Sequence, residues 1–255
     1  KGATCVPWDG GIDEPLPEGA WDIRSASPIP YLKHGVVPQE LSEFDIQRIT
    51  AEFVHAAENA EEAGFDMLEL HLAHGYLLSA FISPVTNKRS DKYGGDIHAR
   101  MSFPLSVVRA VRDVWPASKP MSARISATDW IDDGLSENDM LQVARSLKEA
   151  GLDIINVSTG QVTKDEKPMY GRMFQAPFAD QIRNEIGIAT IVAGNITSAD
   201  QANTLIAAGR TDIVAMGRPI MNEPHLVLNA AAHYGHTKQQ WPPQYLSGKF
   251  LAEAL

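Results

Sequence analysis

The apolar positions of this chain recur with helical spacing, and short apolar runs follow the helical stretches. Apolar residues after Ser42 return every three or four positions, with charged or amide residues between them: Ile46, Ile49, Phe53, Ala57 and Ala60. This spacing predicts an amphipathic helix that packs on a sheet. Two helix starts are predicted, at Ser42 with Asp45 and at Ser136 with Asp139. In each pair the Ser side chain can accept a hydrogen bond from the backbone N–H of the Asp, and the Asp side chain can accept one from the backbone N–H of the Ser.

A recurring unit connects these helices to strands. A helical stretch ends in Ala-Gly, and an Asp and an apolar run follow, in residues 63–68, 150–155 and 208–214. Glycine can adopt the left-handed conformation that closes a helix, and the apolar run suits a strand buried on both faces. We therefore predict strands near residues 67–71, 121–125, 154–157, 189–192 and 213–216. Helices that alternate with strands predict βαβ units and a parallel sheet.

The number of strands leaves two architectures open for the single domain that we expect over residues 1–255. A closed (β/α)8 TIM barrel needs eight strands. Residues 1–41 are too rich in Pro and Gly to supply the three that are not accounted for. The chain is either an open α/β sheet of another type or a (β/α)8 barrel that lacks its first three strands here, and we favour the barrel.

Composition and charge exclude several classes of partner. The formal net charge is -10, with 22 Lys and Arg against 32 Asp and Glu, so we expect neither a nucleic acid nor an acidic membrane surface as a partner. Cys5 is the single cysteine, and no Cys/His cluster has zinc-ligand spacing, which favours the reducing cytoplasm. No apolar run approaches the roughly 18 residues of a membrane helix.

Residues that can carry chemistry are densest just after the first predicted strand. The run His71-Leu-Ala-His74-Gly-Tyr76-Leu is followed by Phe81-Ile-Ser-Pro, Asn87, Arg89, Asp91, Tyr93-Gly-Gly and Arg100. The carboxyl ends of barrel strands form the active-site face, so His71, His74 and Tyr76 should converge on a pocket. The two histidines have no third ligand at metal spacing, so we predict no metal. Partly buried histidines with a purely structural role are the other alternative.

In this order the motif resembles the old yellow enzyme family of NAD(P)H:flavin oxidoreductases. The resemblance extends from the first residues to Trp241-Pro-Pro and implies an FMN-dependent (β/α)8 barrel whose first three strands are absent from this chain. It implies that His71 and His74 donate hydrogen bonds to the acceptor's oxygen. Such fixed donors stabilise the charge that develops there as hydride arrives. Tyr76 is implied to be the proton donor, with a structural tyrosine as the alternative.

The resemblance and the barrel geometry together imply a flavin site. Arg124 matches the family's Arg beside the flavin pyrimidine edge, although a salt bridge to Glu69 would also explain it. The loops after strands seven and eight of a barrel commonly hold phosphate. These loops contain Gly194-Asn195 and Gly217-Arg218, which we predict to bind the FMN phosphate. Ser158 matches a position near the phosphate loops and could equally cap its strand.

The segment 161–175 is predicted to be a loop over the active-site face that selects the substrate. It contains Lys164, Lys167, Tyr170 and Arg172, of which we assign Tyr170 and Arg172 to substrate binding. These cations could meet an acidic substrate or a coenzyme A phosphate, or they could be solvated.

The sequence therefore predicts an FMN oxidoreductase that moves hydride from NADH or NADPH to a small activated, unsaturated acceptor. The stretch 7–11 is most similar to the reductase half of aminobenzoyl-CoA or salicyloyl-CoA monooxygenase/reductase fusions. That similarity implies an aromatic or enoyl CoA thioester as acceptor and a fused N-terminal flavin monooxygenase domain. The alternatives are a phosphate-binding barrel without flavin and a truncated, non-catalytic fragment. The sequence leaves open whether the chain forms a homo-oligomer.

Overall fold

The computed structural model describes residues 2–6, 8, 9, 11 and 13–252, and it gives an α/β fold with a parallel sheet. The strands are β1 Arg24–Ser25, β2 Gln39–Glu40, β3 Leu68–Leu72, β4 Met121–Ser126, β5 Ile154–Ser158, β6 Ala189–Val192 and β7 Ile213–Val214. The α-helices are α1 Glu43–Glu62, α2 Leu77–Ile82, α3 Ile97–Val114, α4 Glu137–Glu149, α5 Ala176–Gln181, α6 Ala199–Ala207, α7 Arg218–Asn222, α8 Leu226–His233 and α9 Leu246–Ala252. A π-helical turn Ile182–Ile186 continues α5, and a 3-10 turn Pro243–Tyr245 precedes α9.

The predicted helix and strand boundaries are confirmed where the local signals are strong. Ser42 begins α1 and Ser136 begins α4, each with the reciprocal capping bonds expected from the acid three residues later. Gly64, Gly151 and Gly209 all have positive φ, at 82°, 96° and 68°. Each of them turns the chain from a helix into the next strand, as the repeated Ala-Gly unit predicts.

The main sheet contains five parallel strands in the order β3-β4-β5-β6-β7. Sequence neighbours therefore lie beside each other, and His71, Arg124 and Asn156 are aligned across β3, β4 and β5. Within the described residues β3 and β7 each pair with one neighbour, so the sheet is open rather than a closed barrel.

Helices cover one face of this sheet and form the core with it. Leu70, Leu72, Met121, Ala123 and Ile125 are at most 7% exposed and pack against residues of the helices. Large, fully buried side chains on the helices include Phe81, Phe103, Met101 and Met140, and Trp115 is buried just after α3. Burial of this apolar face is the main source of stability for the fold.

The prediction of strands buried on both faces is confirmed for β4, β5 and β6, whereas the edge strands β3 and β7 have exposed positions. On β3, Glu69 and His71 are exposed while Leu70 and Leu72 are buried. The central strand β5 is buried almost throughout, because it has a neighbour on each side. Exposure is therefore greatest on the edge strands β3 and β7.

The N-terminal segment adds two short strands that the sequence pattern did not predict. β1 and β2 are two residues each and pair in parallel with each other, apart from the main sheet. Residues 13–41 therefore supply no strand to that sheet. No helix in the described part of the chain is long and apolar enough to cross a membrane.

Candidate active site

The turn after β3 brings the two histidines and the tyrosine together. His74 and Gly75 both have positive φ, 62° and 71°, and Tyr76 then caps α2. The ring of His71 lies 5.1 Å from that of His74 and 5.3 Å from that of Tyr76, measured between centroids. The side chains predicted to hold and protonate the acceptor thus form one cluster.

Two serines from neighbouring strand ends fix His74. Its backbone N–H donates to Ser126 Oγ at 2.9 Å, and that hydroxyl donates to the carbonyl of Gly160 at 3.0 Å. The Nε2 atom of His74 lies 2.7 Å from Ser158 Oγ. Ser158 therefore touches a predicted catalytic histidine, a contact that the sequence did not predict for it.

The surroundings of His71 favour its neutral form. Loss of hydration around the ring, and then the positive charge of Arg124, lower the pKa of His71, while Glu69 opposes them. A neutral imidazole still has one N–H to donate, so it can polarise an acceptor oxygen without giving up its proton.

Arg124 faces the cavity beside His71 and has hydrogen-bonding capacity left over. Its Nη2 donates weakly to Ser158 Oγ at 3.5 Å, and its Nε is buried without a hydrogen-bond partner. Glu69 accepts instead from Asn156 at 2.9 Å and Ser122 at 3.2 Å. The alternative of an Arg124–Glu69 salt bridge is therefore wrong.

A cavity of about 1010 Å³ connects these residues to the predicted phosphate loops. Its wall includes most of the predicted site residues: His74, Arg124, Ser158, Tyr170, Gly194, Asn195, Gly217 and Arg218. The volume matches the upper end of ordinary ligand sites, about 300–1,000 Å³. Arg172 is exposed and does not line it, and His71 and Tyr76 lie beside His74 rather than in its wall.

The two glycine loops differ in their surroundings. Gly194 has φ 104° and packs so closely on Gln175 that a Cβ would lie 2.9 Å from that side chain. The Asn195 amide donates to the carbonyl of Gly171 at 3.1 Å, so it anchors the loop 161–175. A Cβ on Gly217 would meet no atom within 4 Å, which leaves room for a ligand beside Arg218.

Sequence reasoning did not assign Gln175 or Trp130 to this site. Gln175 is 6% exposed, and in the amide orientation that satisfies both ends it donates to the carbonyls of Val157 and Ala193. Trp130, with φ 54°, lines the cavity. Trp130 lies in the loop that follows β4, so the strand-end rule could have found it, whereas Gln175 carries no local signal.

Comparisons with known proteins identify the family. Residues 9–236 match the model of the NADH:flavin oxidoreductase / NADH oxidase family. The chain belongs to this family. An NADPH dehydrogenase of Listeria welshimeri is 39% identical over 224 residues, which is 88% of this chain and 65% of that protein. This member of the flavin oxidoreductase family thus spans just under two thirds of the length of such curated relatives.

The fold of this chain is similar to that of solved oxidoreductase structures. Morphinone reductase has a TM-score of 0.68 and 26% identity, and the match covers 89% of this chain and 63% of that one. A 2-naphthoyl-CoA reductase complex has a TM-score of 0.73 over 82% of this chain and 32% of that one. Its 24% identity supports the fold alone. Among the described residues no group of three His, Cys, Asp or Glu is placed to hold a metal ion.

Proposed function

We propose that this chain binds FMN and, in alternating half-reactions, moves hydride from NADH or NADPH to a small activated, unsaturated acceptor. The observation that carries the proposal is the single cavity that joins His74 and Arg124 at one end to Gly217 and Arg218 at the other. The family membership favours the same activity.

The residues present fit FMN. The buried Nε of Arg124 lacks a partner, and a flavin ring edge offers acceptor atoms at such a position. Arg218 supplies a charge for the phosphate in a protein whose net charge is -10, and Gly217 leaves space beside it. Ser158 and Gly194 complete the wall between these two ends.

The chain's own residues account for the rest of the reaction. FMN, when bound, supplies the hydride that it has accepted from NADH or NADPH. His71 and His74 donate hydrogen bonds to the acceptor oxygen on which negative charge develops. Ser126 and Ser158 hold His74 for this role. Tyr76, in ring contact with His71, delivers the proton to the acceptor.

We further propose that β3 to β7 are consecutive strands of a (β/α)8 barrel whose first three strands are absent from this chain. The polar, partly exposed face with Glu69, His71 and Arg124 supports this, because the interior of a barrel carries its functional side chains at the strand ends. The solved structures that the chain resembles support it as well.

A narrower proposal concerns the acceptor and a fusion partner. The similarity of the stretch 7–11 to the monooxygenase/reductase fusions favours an aromatic or enoyl CoA thioester and a preceding flavin monooxygenase domain. Pro7 and Gly10 of that stretch lie outside the described residues. Arg172, exposed next to the cavity residue Tyr170, offers a cation for a CoA phosphate.

Absorption spectroscopy tests the proposed function. The purified chain, with FMN added, should show flavin bands between about 350 and 500 nm that bleach on anaerobic addition of NADH or NADPH. Arg218→Met should weaken FMN binding by roughly tenfold or more, because a hydrogen bond to a charged group contributes about 1.5–3 kcal/mol. Arg172→Met, which removes a cation outside the cavity wall, is the matched control. A chain that binds no FMN would leave a phosphate-binding barrel without flavin as the better interpretation.

A further inference from the structure

The side-chain amide of Gln175 bridges the carboxyl ends of the neighbouring strands β5 and β6. Its nitrogen donates to the carbonyls of Val157 and Ala193, each at 3.2 Å, because the opposite orientation would set its oxygen against both carbonyls. Its oxygen accepts from the backbone N–H and the hydroxyl of Thr159, at 3.3 and 3.1 Å. Gln175 is 6% exposed, so it depends on these protein partners rather than on water. The amide therefore uses its two N–H groups and both lone pairs of its oxygen at these two strand ends.

Strand pairing leaves the two carbonyls facing Gln175. On the outer sides of β5 and β6, the carbonyls of Ser158 and Val192 accept from the residues that directly follow β4 and β7, both at 2.8 Å. Successive carbonyls along a strand point to opposite sides, so those of Val157 and Ala193 both face the gap between β5 and β6. The Gln175 amide thus continues the pairing of these strands beyond its last residue pair, Val157 with Val192.

The loop after β6 lies directly against the Gln175 side chain. Gly194 has φ 104°, and a Cβ there would lie 2.9 Å from both Cγ and Cδ of Gln175. Two hydrogen bonds join the same segments: the Met173 N–H donates to the Asn195 carbonyl at 3.3 Å, and the Asn195 side chain donates to the Gly171 carbonyl at 3.1 Å. The position of the loop therefore depends on where Gln175 lies.

The groups that Gln175 contacts belong to the cavity wall. Thr159 after β5, Gly194 after β6 and Gln175 itself all line the cavity. Gln175 directly precedes α5, so its backbone is fixed by a helix while its amide is fixed by two strand ends. A side chain held at both ends sets the spacing of the groups between which it lies.

We propose that Gln175 is a positioning residue of the FMN site, one that acts through the backbone of Thr159 and Gly194 and not by contact with the reacting atoms. It holds the ends of β5 and β6 at the spacing in which the loop 194–195 receives the phosphate, so that this loop is ordered before the cofactor binds. The proposal rests on the proposed function, because it concerns the same FMN site. The bridge between the two strands is a property of the chain without cofactor.

FMN titrations followed by flavin fluorescence test the proposal. Gln175→Met keeps the length of the side chain and removes the four hydrogen bonds, so it should weaken FMN binding about tenfold. Gln181→Met is the matched control at the other end of α5, because Gln181 donates to Glu137 and does not line the cavity. This control should bind FMN like wild type. Equal FMN affinity in the two variants would overturn the role of Gln175.

Gln175→Glu adds a dependence on pH. The ionised carboxylate can accept from Thr159 but has no hydrogen for the carbonyls of Val157 and Ala193, whereas the protonated carboxyl regains one donor. Burial at this position should raise the pKa of the introduced carboxyl above its ordinary value of about 4.3. The FMN affinity of Gln175→Glu, divided by that of wild type at the same pH, should therefore rise as pH falls from about 8 to about 5. A ratio that stays constant over this range would refute the donation to the two carbonyls.

Hydrogen–deuterium exchange of the chain without FMN separates this inference from the proposed function. Gln175→Met should accelerate amide exchange in residues 157–160 and 193–196, because the Thr159 N–H loses its partner and the loop its support. Gln181→Met should exchange at the wild-type rate in both segments. If the wild-type chain binds no FMN, the proposed function fails, and faster exchange in Gln175→Met would still establish the bridge. If wild type binds FMN but Gln175→Met exchanges like Gln181→Met, the role of Gln175 is overturned.

Discussion

Gly75→Ala should disrupt the turn that brings His71, His74 and Tyr76 together, the side chains to which we assign catalytic roles. Gly75 links His74 to Tyr76 at φ 71°, and a methyl group there would lie 2.8 Å from the carbonyl oxygen of Gln161 and 3.1 Å from Val162 Cα. Left-handed backbone costs a residue with a Cβ about 1–2 kcal/mol. Because the contacted atoms are backbone, overpacking should add about 1–3 kcal/mol. The free energy of unfolding should therefore fall by roughly 2–5 kcal/mol.

Gly64→Ala is the matched control for this substitution. Gly64 has φ 82°, and a Cβ there would meet no atom within 4 Å, so only the backbone cost of about 1–2 kcal/mol applies. Urea unfolding followed by far-ultraviolet circular dichroism should separate the two variants by about 1–3 kcal/mol. Equal losses would refute the close contact between the turn after β3 and the loop 161–175, and with it our account of how His74 and Tyr76 are positioned.

Three further predictions concern a buried carboxyl group, the proposed proton donor and the apolar core. Burial raises the pKa of Asp129, so its folded form binds a proton more tightly than its unfolded form. Its contribution to stability is therefore full below the ordinary carboxyl pKa of about 3.9 and is lost as pH rises through the raised value. Asp129→Asn should remove this loss, and urea unfolding of both proteins from acidic to neutral pH measures the difference. Tyr76→Phe should slow acceptor reduction about 10²–10⁴-fold and leave the rate of flavin bleaching by NADPH unchanged. Stopped-flow absorbance measures both rates. Equal slowing of both steps would contradict the role of Tyr76 as proton donor. Phe103→Ala should lower the free energy of unfolding by about 3–5 kcal/mol, because Phe103 is fully buried. Phe44 is 73% exposed, so Phe44→Ala should change the free energy of unfolding by about 0.5 kcal/mol or less in the same urea assay.

The secondary structure could be predicted closely because its signals are local. Capping residues such as Ser42 and Ser136 bond to backbone groups three residues away, and Gly64 and Gly151 close their helices from within the same turn. The five strands of the main sheet were predicted to within about two residues for the same reason. The short β1–β2 pair was not predicted, because its pairing depends on residues fifteen positions apart, Arg24 and Gln39.

The candidate site was predicted only in part. The sequence motif and the strand-end rule singled out His71, His74, Tyr76 and Arg124, since they lie on or directly after predicted strands. Neither could show that Ser158 contacts His74, because 84 residues separate them. The roles assigned to these residues remain predictions.

The sequence by itself determined the alternation of helices and strands, the acidic balance and the motif that the family shares, because each depends on residue type and short spacing. Only the tertiary structure decided which side chains meet. Lys164 was one of several loop cations in the sequence, and folding turned it inward to Asp13, 151 positions earlier in the chain. Gln175 lines the cavity for the same physical reason: contacts between distant segments depend on how the helices pack on the sheet, and no short stretch of sequence encodes that packing.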